Sequence, residues 1–174
     1  GLKEAENIIK AFNNKPLIDL RMNSLKTNLD ELLRELNESN ICAEPIYQLN
    51  NGVTLKSNPR SIKNLPGYKE GMWVVQDRSS QWVAPLLCPM KGEKILDACS
   101  APGSKTTHIA ELTNDDAEIL AVDRSEKRLK ILRSNLERLN IKSVKTLKWD
   151  AANLIELNPN LLSYFDKILI DAPC

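Results

Sequence analysis

Apolar and polar positions along the first half of the chain change period several times. Leu2, Ala5, Ile8, Ile9 and Phe12 lie at helical spacing, and Pro16 closes that segment. Residues 17–22 alternate as a strand does. Thr27, with Asp30 three residues on, reads as a helix N-cap, and Leu29, Leu32, Leu33 and Leu36 form one helical face behind it. Residues 44–49 and 53–57 read as strands joined at Asn50-Asn51-Gly52, a hairpin signal. An irregular stretch with Pro59, Pro66 and Gly67 leads to a further strand over 72–76. This order predicts a small α+β sandwich of the ferredoxin or RNA-recognition type over residues 1–77. It lacks the aromatic residues on which such sheets stack RNA bases, so a packing role competes with an RNA-reading one.

The second half follows another rule. Asp77 or Ser79 caps a helix that runs through 82–87 and is shortened by Pro85. After Pro89 and Gly92, strands alternate with helices: strand 95–98, helix 104–112, strand 118–122, helix 126–139, strand 144–149, a helical stretch around Leu154, and strand 167–170. Leu129, Leu132, Leu136 and Leu139 face inward from the longest helix. Such alternation predicts a Rossmann-like parallel sheet over residues 78–174, wound in the order 3-2-1-4 with helices on both faces.

Composition narrows the class without naming a function. The chain has 174 residues, 42% hydrophobic and 27% charged, ordinary values for a soluble protein of one large or two small domains. No apolar run approaches the roughly 20 residues of a membrane span. Cys42, Cys88, Cys99 and Cys174 form no C-x-x-C pair and His108 is the one histidine, so neither a metal site nor a disulfide framework is expected, and a reducing cytoplasm fits best. Cys42 and Cys88 are expected to be buried as small apolar residues, and Cys99 to pack within its loop. The chain opens on Gly1 and stops at Cys174, which reads as a piece of a longer protein. Net charge is +1. Residues 124–148, however, hold nine basic residues against Glu126 and Glu137, a local +7. That excess is a solvated helix face or an edge that tracks phosphates.

The chemistry concentrates at strand ends. In open parallel sheets, ligands sit beyond the carboxyl ends of strands, where strand order reverses. Asp97 and Asp171 end the first and fourth strands, which the 3-2-1-4 winding makes neighbours. Between the first strand and its helix, residues 99–104 are small enough for backbone to approach a ligand, and the helix behind them aims free N–H groups at it. Lys105 in the first helical turn opposes the helix dipole by about 0.3–1 kcal/mol, which suggests a ligand or an acid partner for it as much as a hydrated surface lysine. Asp123, twenty residues after Gly103, suits ribose hydroxyls, with a helix N-cap as the plain alternative. Asp150 suits an adenine amino group, or caps residues 151–154. A phosphate-binding P-loop fails twice, at Cys99 and Ser104. Polyphosphate beside Asp97, Asp123, Asp150 and Asp171 would also cost up to about 4 kcal/mol per close acid. A sulfonium cation is favoured by the same acids, so S-adenosylmethionine is the expected cofactor and methyl transfer the expected reaction. Cys174, after Asp171-Ala172-Pro173, suits attack on carbon 6 of a pyrimidine, which activates carbon 5, while Asp171 in protonated form meets ring nitrogen 3.

The segments DACSAPGSKTTH, AVDRSEKRL, WDAAN and IDAPC, with QDRSSQWVAPLL and LRMNSLKTN upstream, resemble the RNA cytosine-C5 methyltransferases of the Sun/Nop group, and within it the bacterial enzymes acting on small-subunit ribosomal RNA. The resemblance spans nearly the whole chain. It implies an RNA substrate and S-adenosylmethionine as cofactor. Cys99, Ser100, Ala101, Pro102, Gly103, Ser104 and Lys105 would line the methionine end, and Asp97 and Asp171 would also border the cofactor. Asp123, supported by Arg128, would take the ribose, Asp150 the adenine and Asp171 the cytosine ring. It also implies that the covalent nucleophile is a second cysteine in a later Thr-Cys motif, so that Cys174 assists product release and this chain alone does not turn over. Gly103-Ser104-Lys105 departs from the family's Gly-Gly-Lys, which serine tolerates only at negative φ. A docking module for RNA or protein with a degenerate methyltransferase fold is the alternative, and a nucleotide-hydrolysing domain a more distant one.

Overall fold

The computed structural model describes residues 1–13, 17–57 and 59–172. Pro16, Pro173 and Cys174 therefore lie outside the described residues. Two four-stranded sheets organise the rest. The first comprises β1 (Ile18–Met22), β2 (Ala43–Pro45), β3 (Gly52–Leu55) and β4 (Trp73–Val75), in the antiparallel order β2-β3-β1-β4. Helix α1 (Leu2–Phe12) precedes it, and α2 (Leu29–Glu38) covers one face through buried Leu32 and Leu36. Leu20, Met22, Val53, Leu55 and Trp73 complete that core. The irregular stretch expected between β3 and β4 holds one 3-10 turn, Ile62–Asn64.

The second sheet is parallel, in the order β7-β6-β5-β8, from β5 (Lys94–Asp97), β6 (Glu118–Asp123), β7 (Val144–Lys148) and β8 (Lys167–Leu169). This is the 3-2-1-4 winding read from the sequence. Helices α3 (Val83–Leu87), α4 (Ser104–Leu112) and α5 (Glu126–Leu139) bury one face of it around Ile95, Ile119, Ala121 and the four inward leucines of α5. The other face packs Leu96, Ala98 and Val122 against Leu154 of α6 (Leu154–Leu157). Among the described residues, no helix is long and apolar enough to cross a membrane.

Local corrections have local causes. The cap of α2 is Asn28, whose side chain accepts from Glu31 N at 3.0 Å; Thr27 instead donates to the Glu31 carboxylate at 2.7 Å. Strand β2 ends at Pro45, although Ile46 N still donates to the Gly52 carbonyl at 2.8 Å; the chain then turns through bonds from Leu49 N to the Ile46 carbonyl and from Gly52 N to the Leu49 carbonyl, a longer connection than the expected hairpin turn. Asp77 folds an Asx turn onto Ser79 N at 2.8 Å, and the chain enters α3 through a 3-10 turn, Ser80–Trp82. Cys42 and Cys88 are exposed rather than buried. The first precedes an edge strand, and the second is the left-handed C-cap of α3.

The two sheets share a packed seam. Strand alternation sends Trp73 into the small core and Val74 into the large one. Gly71, at φ +75°, lies so close to the Arg138 carbonyl at the end of α5 that a Cβ there would overlap it. Gly71→Ala is expected to cost about 3 kcal/mol or more, combining left-handed strain with a displaced seam. Gly92→Ala, at φ +76° in open space, is expected to cost only about 1–2 kcal/mol. Urea unfolding of both variants checks this, and equal midpoints would contradict a close-packed seam.

Candidate functional site

The carboxyl ends of β5, β6 and β8 open onto one crevice with two lobes. A polar lobe of about 230 Å³ is lined by Asp97, Ser100, Ser104, Lys105 and Asp171. An apolar lobe of about 610 Å³ lies beside it, walled by Leu96, Ala98, Ile168 and Ile170 and rimmed by Asp123, Arg124 and Asp150. Cys99, Arg128 and Ala172 belong to both lobes. The structure thus brings all the described residues assigned from the sequence to one place, apart from Gly103, which lies just behind the loop.

Gly103 is required there by conformation and by space. Its φ is +105°, and a Cβ would overlap the Leu132 side chain of α5. Ser104 is the first residue of α4 and is not among the positive-φ residues, so serine in place of the second glycine carries no backbone strain. Helix α4 has no side-chain cap at Gly103, so its first N–H groups remain available at the edge of the polar lobe.

Asp97 is the floor of that lobe. It is 1% exposed and accepts from Thr106 Oγ1 at 2.7 Å. Burial pushes its carboxyl up to about 6, and the nearby Asp171 charge adds to the rise, against the hydrogen bonds from Thr106 and the Cys99 backbone and the Lys105 charge. Burial likewise raises the Cys99 thiol, helped by the neighbouring acids, so this cysteine is no ready thiolate.

The other three acids are compensated, and this changes the picture of a bare acidic socket. Lys105 Nζ pairs with Asp171 at 2.6 Å, Arg128 Nη1 with Asp123 at 3.2 Å, and Arg124 Nη2 with Asp150 at 2.8 Å. Four carboxylates against three cations leave a rim of −1. The partner that the sequence left open for Lys105 is therefore Asp171, and the expectation of an uncharged Asp171 meets a carboxylate already engaged by an ammonium. Asp123 is not the cap of α5, which is Ser125. It is 5% exposed and also accepts from Ala101 N at 3.2 Å and Ser125 N at 2.8 Å, while Arg128 donates to the Ala101 carbonyl. Asp150 does cap the 3-10 turn Ala151–Asn153, and hydrogen bonds from Ala152 N and Arg124 hold its carboxyl below the usual range.

The basic run over 124–148 is largely absorbed in the same way. Besides Arg124 and Arg128, Arg133 pairs with Glu126 and Lys145 with Glu118. Arg138 is partly buried, stacked over Tyr68 and donating to the Tyr68 and Trp73 carbonyls. Lys127, Lys130, Lys142 and Lys148 are left without an ion pair among the described residues. The sequence reading missed Thr106, which holds Asp97, and the polar contacts that reach α4 from the first sheet. His108 is 4% exposed, and burial together with the Arg21 charge pushes it down to about 2, so it stays neutral. Among the described residues no cluster could hold a metal ion.

Asp97 carries a pH signature. Its folded value lies above the ordinary 3.8, so the stability of its protonated form is complete below that value and lost as pH rises through about 6. Wild type is expected to lose about 2 kcal/mol relative to Asp97→Asn between pH 4 and pH 7. Urea unfolding at the two pH values measures this; parallel profiles would refute the burial of the charge.

Comparison with known proteins agrees with this architecture. The family model described as 16S rRNA methyltransferase RsmB/F matches residues 84–174, and that of the ferredoxin-like domain of RsmF/B-like methyltransferases matches residues 1–62. The chain is 41% identical over 174 residues to the probable ribosomal RNA small subunit methyltransferase B of Synechocystis sp., covering 100% of this chain and 39% of that protein. It is 40% identical over 169 residues to ribosomal RNA small subunit methyltransferase B of Serratia proteamaculans, covering 97% and 38%. It thus spans about two fifths of these relatives. A solved methyltransferase homolog protein from Pyrococcus horikoshii superposes with a TM-score of 0.84 at 33% identity, over 98% of this chain and 55% of that one. With both halves matched in order and the crevice at the expected strand ends, the chain belongs to the RsmB/F family of 16S rRNA methyltransferases.

Proposed function

We propose that this chain carries the cofactor pocket of an S-adenosylmethionine-dependent methyltransferase acting on carbon 5 of a cytosine in small-subunit ribosomal RNA. The units 1–77 and 78–174 are then its RNA-side module and its catalytic core. The observation that carries the reading is the two-lobed crevice. One lobe is polar and faces the free N–H groups of α4; the other is apolar and rimmed by acids.

The chemistry of the donor set fits this cofactor. The backbone of residues 99–105 would hold the carboxylate of its amino-acid end. Asp97 faces the same lobe and would accept from its ammonium. Asp123, with lone pairs left beside Arg128, would accept from ribose hydroxyls. The apolar lobe would take the base, with Asp150 at its rim. When bound, the group supplies a methyl carbon activated by an adjacent sulfonium. A rim of −1 favours that cation weakly, and less than four unpaired acids would.

On the acceptor side, Asp171 would meet ring nitrogen 3 of cytosine. Its Lys105 partner keeps a proton beside that carboxylate while charge builds on the ring. Cys174, three residues on, stands in this reading as the thiol of the release step. The names of the relatives support ribosomal RNA as the substrate class.

Calorimetry with S-adenosylmethionine on the chain and on Asp123→Ala tests the pocket. Wild type is expected to bind, and the variant to bind about tenfold or more weakly, the worth of one or two hydrogen bonds to a charged acceptor. Equal affinities would remove the ribose role, and no binding by wild type would remove the cofactor. For the base, a protein containing this chain at the length of its relatives is expected to leave 5-methylcytidine in digested small-subunit ribosomal RNA. A different methylated nucleoside would overturn the carbon-5 reading.

A further inference from the structure

Helix α4 has almost no exposed face. Thr106, Thr107, His108, Ile109, Ala110 and Glu111 are all buried in it. One side packs into the core of the parallel sheet through Ile109 and Ala110. Thr106 turns to Asp97 in the crevice, while Thr107 and Glu111 meet one group from the small antiparallel sheet, the guanidinium of Arg21 on β1.

Arg21 is 0% exposed, and each of its five N–H groups has an acceptor. Nε donates to Glu111 Oε2 at 2.9 Å, and Nη2 to Glu111 Oε1 at 2.6 Å and Thr107 Oγ1 at 3.0 Å. Nη1 donates to Gln76 Oε1 and, at 2.6 Å, to the main-chain carbonyl of Ser104. An ion pair alone would need only Glu111. The contacts to Ser104 and Thr107 fall on the first turn of α4, the turn that presents Ser104 and Lys105 to the polar lobe. Strand alternation places Asn23 on the same face of β1, two residues on. Its Nδ2 donates to the Gly71 carbonyl at 2.9 Å and the Leu139 carbonyl at 3.4 Å, fixing the strand to the end of α5.

We propose that Arg21 is a positioning residue for the cofactor. From the small sheet it sets the rotation and height of the first turn of α4, so that the polar lobe is complete only when the two sheets are docked. The inference rests on the cofactor reading above and deepens it. The small sheet then acts on the cofactor as well as on any RNA. Without the guanidinium, the Ser104 carbonyl loses the donor that reaches it from outside the helix. The N–H groups at the helix end and Lys105, which pairs with Asp171, lose their fixed direction.

The double substitution Arg21→Met with Glu111→Leu separates positioning from mere stability. Buried ion pairs replaced by apolar residues commonly leave a fold as stable as before, while here the contacts to Ser104 and Thr107 are lost. Calorimetry with S-adenosylhomocysteine, at a temperature where each protein is folded, is expected to show affinity about tenfold weaker than wild type, with a similar melting temperature. Amide hydrogen exchange over residues 107–110 is expected to quicken while that of β5 and β6 holds. Affinity within about twofold of wild type, with unchanged exchange at the start of α4, would overturn the positioning role and leave the cofactor reading standing. If wild type itself does not bind S-adenosylhomocysteine, the cofactor reading fails and this inference with it. Should the double variant not fold, Arg21→Lys carries the same test, since it keeps a cation opposite Glu111 without the five-donor fork.

Discussion

A guanidinium buried between two sheets must have every N–H matched, because desolvating it costs several kcal/mol that only complete hydrogen bonding offsets. Arg21 meets that condition with four residues from two places: Glu111, Thr107 and Ser104 on α4, and Gln76 just after β4. The same requirement explains the neighbours. Gln76 also donates to the Ser80 carbonyl, and Gln81 to the carbonyls of Leu20 and Gln76. Burial pushes the Glu111 carboxyl upward while Arg21 opposes it. The seam is thus a polar layer between two apolar cores, and its directional bonds give the sheets a single docking arrangement where apolar contact alone would allow sliding.

That seam connects directly to the crevice. The helix it clasps begins with the small-residue loop, and Leu132 of α5 closes behind Gly103. Asp97 is held from the same helix through Thr106. The crevice is therefore built by backbone placement and by a helix fixed from both sides. Its charge is nearly balanced. Lys105, Arg124 and Arg128 each answer one acid, so selectivity among ligands comes from the shape of the loop, the free N–H groups and the uncompensated Asp97 more than from a strong negative field.

Most of the fold was legible because its signals are local. The period of 3.6 in Leu129, Leu132, Leu136 and Leu139 and the strand–helix alternation after Gly92 needed no tertiary knowledge. Misreadings arose where a residue had two local options. Thr27 and Asn28 both suit an N-cap, and only the geometry of the chain entering α2 chose the second. Glu44–Leu49 looked like a strand, but turn bonds from Leu49 N to Ile46 and from Gly52 N to Leu49 fold its second half into the connection. Exposure of Cys42 and Cys88 followed from an edge strand and a left-handed cap, neither of which cysteine itself announces.

Sequence by itself determined the elements, their order, the 3-2-1-4 winding and the group of acids at strand ends, because periodicity and turn chemistry act over a few residues. Tertiary structure alone decided the pairing of those acids with Lys105, Arg124 and Arg128, and the union of Arg21 with Glu111 across 90 positions. The hints were present: Asp19, Arg21 and Asn23 alternate with Leu20 and Met22, and Thr107 and Glu111 lie one helical turn apart. Such a pattern says that both faces are buried without saying against what. Long-range ion pairs depend on how two sheets dock, and docking is set by the summed packing of both cores, which no local period encodes.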